Sequence, residues 1–138
     1  MALTQTLTTS FKQEVLQAVH DFDTDTFKVA LYASTATLGA ATTAYTATGE
    51  ITGTGYSAGG NTLTGVSVGV SGTTAYVTFS NSVWTSAALT ARGALIYNSS
   101  KSNRSVAILD FGADKTSTTT FTVQMPTNAA TTALIRFP

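Results

Sequence analysis

The sequence predicts a mainly β (α+β) fold, an antiparallel β-sandwich of about seven or eight strands with one N-terminal amphipathic helix. Three observations predict it. Short runs alternate apolar with polar residues, and Gly, Asn and Ser turns separate them at about 8–12-residue spacing. Thr makes up roughly a fifth of the chain, far above average usage. Its β-branched carbon favours strands while its hydroxyl tolerates water. The 138 residues are long enough to bury one core, and no linker or fixed-period repeat divides them, so 1–138 is expected to form a single domain.

The helix is expected near 10–21. Ser10 and Gln13 have capping-box spacing, and Phe11, Val15, Leu16, Ala18 and Val19 fall on one side of a helical wheel opposite Lys12, Gln13, Glu14 and Gln17. After the Asp-rich turn at 21–25, residues 26–32 alternate as a strand with Phe27, Val29 and Leu31 on one face. Residues 34–60 are rich in Ala, Thr and Gly, with Tyr45, Ile51 and Tyr56 as the large apolar anchors. They read as a long extended loop with one short strand at 50–52.

Residues 62–70 and 75–79 alternate around Ser71-Gly72-Thr73 and form the clearest hairpin. Further strands are expected at 83–84, 89–97, 105–111, 119–125 and 131–137, with a polar turn at 98–104 and breaks at 112–118 and 126–130. Ala133, Ile135 and Phe137 share a face of the last one.

Charged residues are 10% of the chain and cancel, seven against seven, so no field gathers nucleic acid or anionic lipid. The low charge gives little colloidal repulsion, which suits a subunit packed among neighbours. With no cysteine there is no disulfide and no thiolate chemistry. The first ten residues lack the basic and apolar regions of a secretory signal, and no run approaches the roughly 18 apolar residues of a membrane span. A soluble protein made in the cytoplasm, with no membrane partner, is expected.

Chemistry-bearing patterns are sparse. His20 is the one histidine, and its position suits a helix-end residue facing the negative pole. Asp21, Asp23 and Asp25 alternate like the opening of a calcium loop, but Thr26 and Tyr32 stand where such a loop needs Gly and Glu. Gly53-Thr54-Gly55-Tyr56 and Gly59-Gly60-Asn61 open no helix and precede no Lys-Ser/Thr, so they read as turns. Asn98-Ser99-Ser100 and Asn103-Arg104-Ser105 match the glycosylation sequon as polar loop residues without a secretory signal. No catalytic, cofactor-binding or metal-binding residue and no small-molecule substrate are expected. For Trp84 and the tyrosines Tyr45, Tyr56, Tyr76 and Tyr97, core or sheet-face packing is the default in a strand-rich domain. The candidate interface residues, should any of these face outward, are Tyr56 and Trp84, with the basic pair Lys101 and Arg104 on the 98–104 tip.

Several segments resemble small virion proteins of tailed bacteriophages, cyanophages among them. They are His20-Asp21-Phe22, Thr26-Phe27-Lys28-Val29-Ala30-Leu31-Tyr32, Gly55-Tyr56-Ser57-Ala58-Gly59-Gly60, Gly93-Ala94-Leu95-Ile96-Tyr97-Asn98, Leu109-Asp110-Phe111-Gly112 and Ala133-Leu134-Ile135-Arg136-Phe137. The resemblance spans nearly the whole chain and implies a place in the head or tail shell. It further implies a capsid cement or decoration protein, a homotrimer bound over junctions of the major capsid protein in the virion. A tail or baseplate adaptor for a fibre or tip, with a binding face built from aromatics such as Trp84 and Tyr56, is the alternative. A carbohydrate-binding module that stacks sugars on exposed Trp and Tyr is a weaker one, and a hydrolase using carboxylates such as Asp110 and Asp114 is weaker still.

Overall fold

A computed structural model describes residues 3–138. In chain order the elements are β1 (Thr6–Leu7), α1 (Thr9–Leu16), β2 (Phe27–Tyr32), β3 (Asn61–Thr62), β4 (Ser67–Ser71) and β5 (Thr74–Thr78). Then follow β6 (Ser82–Thr85), β7 (Leu89–Asn98), β8 (Arg104–Ser117), β9 (Thr120–Val123) and β10 (Ile135–Phe137). The fold is mainly β with one short helix, and every paired strand is antiparallel.

The main sheet has the order β1-β8-β7-β2-β3. A second layer, made of a three-stranded sheet β10-β5-β4 and the ribbon β6-β9, packs on one of its faces. Between them lies the larger core, with Phe27, Val29 and Leu31 of β2 meeting Val77, Trp84, Phe121, Val123 and Ile135. The common face expected for Phe27, Val29 and Leu31 is present.

The opposite face of the main sheet is also covered. Ala30, Tyr32, Leu95, Tyr97 and Ile108 pack under Leu3, Ala36, Leu38 and Tyr45. The first part of the long segment, through Tyr45, therefore acts as a third layer, while Ile51 and Tyr56 further along it join the larger core. That is why the middle of β7 is buried at every position and lacks the half-polar alternation of a strand with one wet face. The expected short strand at 50–52 reduces to a single bridge, Tyr32 with Glu50.

The helix differs from expectation at both ends. Its cap is Thr8, whose Oγ1 accepts from the Phe11 amide at 3.3 Å. Ser10 instead lies in the first turn beside Ser105 and the Thr42 carbonyl. Thr8 is fixed there because it is wholly buried and its hydroxyl oxygen accepts from Ser105. The helix stops at Leu16, before the expected 21, because Ala18 turns left-handed at φ 60°. The Val19 amide donates to Glu14 O and the Ala18 amide to Val15 O, the two bonds of a Schellman cap. Stopping there leaves Leu16 84% exposed, while Glu14, expected on the polar side, is buried.

Two more differences concern strands. The run 62–70 breaks because the chain leaves the main sheet after Thr62, buries Leu63 in the core and enters the second layer at Ser67. The expected break at 112–118 is a bulge inside β8: Ala91 pairs with Lys115 and Gly93 with Asp110, so residues 111–114 stand opposite Arg92 alone. The hairpin at Ser71-Gly72-Thr73 is present, with Ser71 paired to Thr74 and Gly72 at φ 60°, the glycine position of a two-residue hairpin turn.

Candidate functional site

Two polar clusters and one uncharged edge are the features with functional potential. The first cluster closes the end of the molecule where α1, the 21–25 turn and the β7-β8 turn meet. His20 lies at its centre with a fully buried side chain, its ring 5.1 Å from Phe11. Its Nε2 faces Glu14 Oε1 at 2.9 Å and its Nδ1 accepts from Asn98 Nδ2 at 3.1 Å. The neighbours thus set the tautomer, with the proton on Nε2.

Asn98 also donates to Asp25 Oδ2 at 2.7 Å and accepts from the Ser100 amide through Oδ1. Lys101 Nζ reaches Asp25 Oδ1 and Arg104 NH1 reaches Glu14 Oε2, each at 2.6 Å. Burial pushes the Glu14 and Asp25 carboxyls up, yet the hydrogen bonds outweigh it and hold both below their ordinary values. On Glu14 those bonds come from His20 and Arg104, and on Asp25 from Lys101, Asn98 and the Asp21 amide.

Lys101 and Arg104, expected as a basic contact pair, are thus ion-paired within their own chain, their stems holding the tip to the body. His20, expected at the end of the helix, sits four residues beyond it and bridges Glu14 to Asn98. The three aspartates make a turn: the Asp23 amide donates to Asp21 Oδ1 and the Asp21 amide to Asp25 Oδ2. Among the described residues no group of three or more His, Cys, Asp or Glu could hold a metal ion.

The second cluster surrounds Glu50, the one charged residue between Lys28 and Arg92. Its carboxylate accepts from Tyr45 Oη at 2.5 Å, Tyr56 Oη at 2.6 Å and the Gly59 amide at 2.7 Å. Tyr56 Oη in turn accepts from the Leu31 amide, and Tyr97 Oη donates to the Gly59 carbonyl. Burial, then the nearby Glu50 charge, pushes the Tyr45 and Tyr97 phenols up to about 12; the same causes raise Tyr56, and burial raises Tyr32. These bonds fasten the 34–60 segment onto β2 and β7. Gly60 permits the approach, since a Cβ on it would fall 1.8 Å from the Val29 carbonyl oxygen.

Of the two candidate contact aromatics, Trp84 is only 4% exposed and packs with Phe121, its cross-strand partner, and with Tyr56. It is a core residue, as the default packing of an aromatic in a strand-rich domain predicts, and it is not available as a contact-surface residue. Tyr56 is half-buried, with its hydroxyl bound on both sides. Trp84 therefore offers no free stacking face, and the Tyr56 hydroxyl is already engaged. Asp110 and Asp114 flank Arg92 at 3.6 Å and 3.9 Å on the exposed bulge, where the carboxylates meet a guanidinium in place of each other.

The sequence held a signal for the Glu50 cluster that periodicity does not read: a lone carboxylate in a long uncharged stretch, with Tyr45 and Tyr56 on either side. The third feature has a similar signature. Residues 51–91 contain no Asp, Glu, Lys or Arg, and they form β3, β4, β5, β6 and the start of β7. Within them β4 is an edge strand whose Val68 and Val70 are 51% and 70% exposed.

Compared with known proteins, the chain matches no family model, no curated protein and no solved structure.

Proposed function

We propose that this chain is a structural virion protein of a tailed bacteriophage, a cement or decoration protein that binds the assembled head and bridges neighbouring major capsid subunits. The observation that carries the reading is where the chain keeps its charge. The ionisable side chains of both clusters are bound to partners inside the chain, while a run of 41 residues, 51–91, is free of charge. A surface of that kind is suited to burial against other proteins, because it can be desolvated without stripping water from a charge. Many identical copies on a shell then turn weak contacts into firm attachment. The resemblance of the sequence to phage virion proteins points the same way.

Quantitative mass spectrometry of purified particles tests the proposal. A cement protein is present at a copy number comparable with the major capsid protein and leaves the head on mild destabilisation. A few copies confined to the tail would move the protein to the tail or baseplate, and absence from particles would overturn the reading.

A further inference from the structure

We infer that β4 is a self-pairing edge: two copies of the chain join by antiparallel β4-β4 addition across a two-fold axis through Gly69. An edge strand leaves one row of N–H and C=O groups without partners, and proteins ordinarily protect such edges with charge, proline or a bulge. Strand β4 has none of these. It is the longest of the sheet-edge strands, regular along its whole pairing with β5, and lies inside the uncharged run.

The occupant follows from the strand's own sequence. Ser67-Val68-Gly69-Val70-Ser71 reads the same in both directions. In antiparallel register about Gly69, Ser67 meets Ser71 of the second copy, Val68 meets Val70, and Gly69 meets itself. Whichever alternate set of residues aims its backbone groups outward, that set is symmetric about the axis, so every outward group finds its counterpart. The contact is isologous and closes at two copies.

Side chains agree with the backbone. Val68 and Val70 pair with Val77 and Ala75 on β5, so all four share the face turned toward the core. Beside them an apolar recess of about 150 Å³ opens between α1 and this sheet, lined by Phe11, Val15, Phe22, Val68, Ile135 and Phe137. A second β4 would lay its own Val68 and Val70 along the exposed pair and extend the apolar surface. On the other face Gly69 lies beneath the Tyr76 ring, where a Cβ would come within 2.8 Å of the ring carbons. Glycine at the centre of the strand thus lets the Tyr76 rings of both copies lie over the axis. With no charge on either strand, like meets like without repulsion. The two-fold pair stands in place of the trimer implied by the phage resemblance, and it does not depend on the virion reading.

Sedimentation of the purified chain up to about 100 µM, a range that populates micromolar association, is expected to show twice the chain mass. Val70→Lys should return it to the single-chain mass with its circular dichroism kept. Leu16→Lys, an exposed apolar change on α1, should leave the pair intact. Because the chain lacks cysteine, register can be read directly: a mixture of Val68→Cys and Val70→Cys chains should cross-link under mild oxidation faster than either chain alone. If Val70→Lys does not fold, this mixture decides. A single-chain species at all concentrations, a trimer, a pair that survives Val70→Lys, or equal cross-linking in the mixture and the separate chains would overturn the inference.

Discussion

Glu14 on α1 and Arg104 at the start of β8 are 90 residues apart and meet at 2.6 Å, with His20 on the other carboxylate oxygen. Within the trio only the carboxylate touches both of the others. Glu14→Ala is therefore expected to cost about 2 kcal/mol, the scale for removing a charged acceptor from buried donors, because the buried His20 Nε2–H loses its acceptor. Arg104→Ala should cost less, about 0.5–1 kcal/mol, since the guanidinium is partly exposed and its loss leaves His20 bonded. Urea midpoints of the two variants check the order; equal losses would contradict it.

The acid limb of stability follows from the same end of the molecule. Glu14 and Asp25 ionise more readily in the folded chain than their ordinary values of 4.5 and 3.8. A depressed carboxyl contributes stability that is fully present above its unfolded value and is lost as pH falls through the folded one. Melting temperature should be flat above about pH 5 and fall steadily toward pH 3. In Glu14→Gln the limb should be shallower; an unchanged slope would remove Glu14 from the account.

At the alkaline end the sign reverses. The raised phenols of Tyr45 and Tyr97, near 12, stabilise the fold below the ordinary tyrosine value of 10.0. As pH rises past that value the unfolded chain releases its protons first, so stability declines toward the folded value. A pH series of melting curves should show the decline beginning near pH 10. Tyrosinate absorbance from these two residues should appear only close to pH 12 or together with unfolding.

Two glycines separate close approach from simple turn geometry. Gly60 has positive φ and sits against the Val29 carbonyl, so Gly60→Ala needs the β2-β3 edge to move and should cost about 3 kcal/mol, at the upper end for overpacking. Gly72 also has positive φ but nothing lies near it, so Gly72→Ala should cost only the left-handed backbone term of about 1 kcal/mol. Thermal unfolding of the pair gives the comparison.

What the sequence disclosed depended on the range of the interaction. The face shared by Phe27, Val29 and Leu31 and the turn at Gly72 are local patterns of period and backbone freedom, and both were legible. The helix end was not, because the Schellman cap closes on Ala18 where glycine would have been the readable sign. Nor was the role of residues 34–60, since Ala, Thr and Gly without alternation look like solvent-exposed loop. Only the two buried faces of β2 and β7 show that Ala36, Leu38 and Tyr45 cover one and Ile51 and Tyr56 join the core on the other. Lys101 and Arg104 looked free because Asp25 and Glu14, their partners, are 76 and 90 residues away.

Trp84 gives the last test, because the chain has no other tryptophan and its fluorescence reports one position. The ring is nearly inaccessible and lies between Tyr56 and Phe121. Iodide should therefore quench it far less in the folded chain than after unfolding in guanidinium. Trp84→Ala should cost about 3–5 kcal/mol, the range for deleting a buried aromatic, by opening a void between the β6-β9 ribbon and the main sheet. A fluorophore quenched as freely as in the unfolded chain, with a variant of unchanged stability, would place Trp84 on the surface. It would then return as a contact residue, and the carbohydrate-stacking alternative would regain its platform.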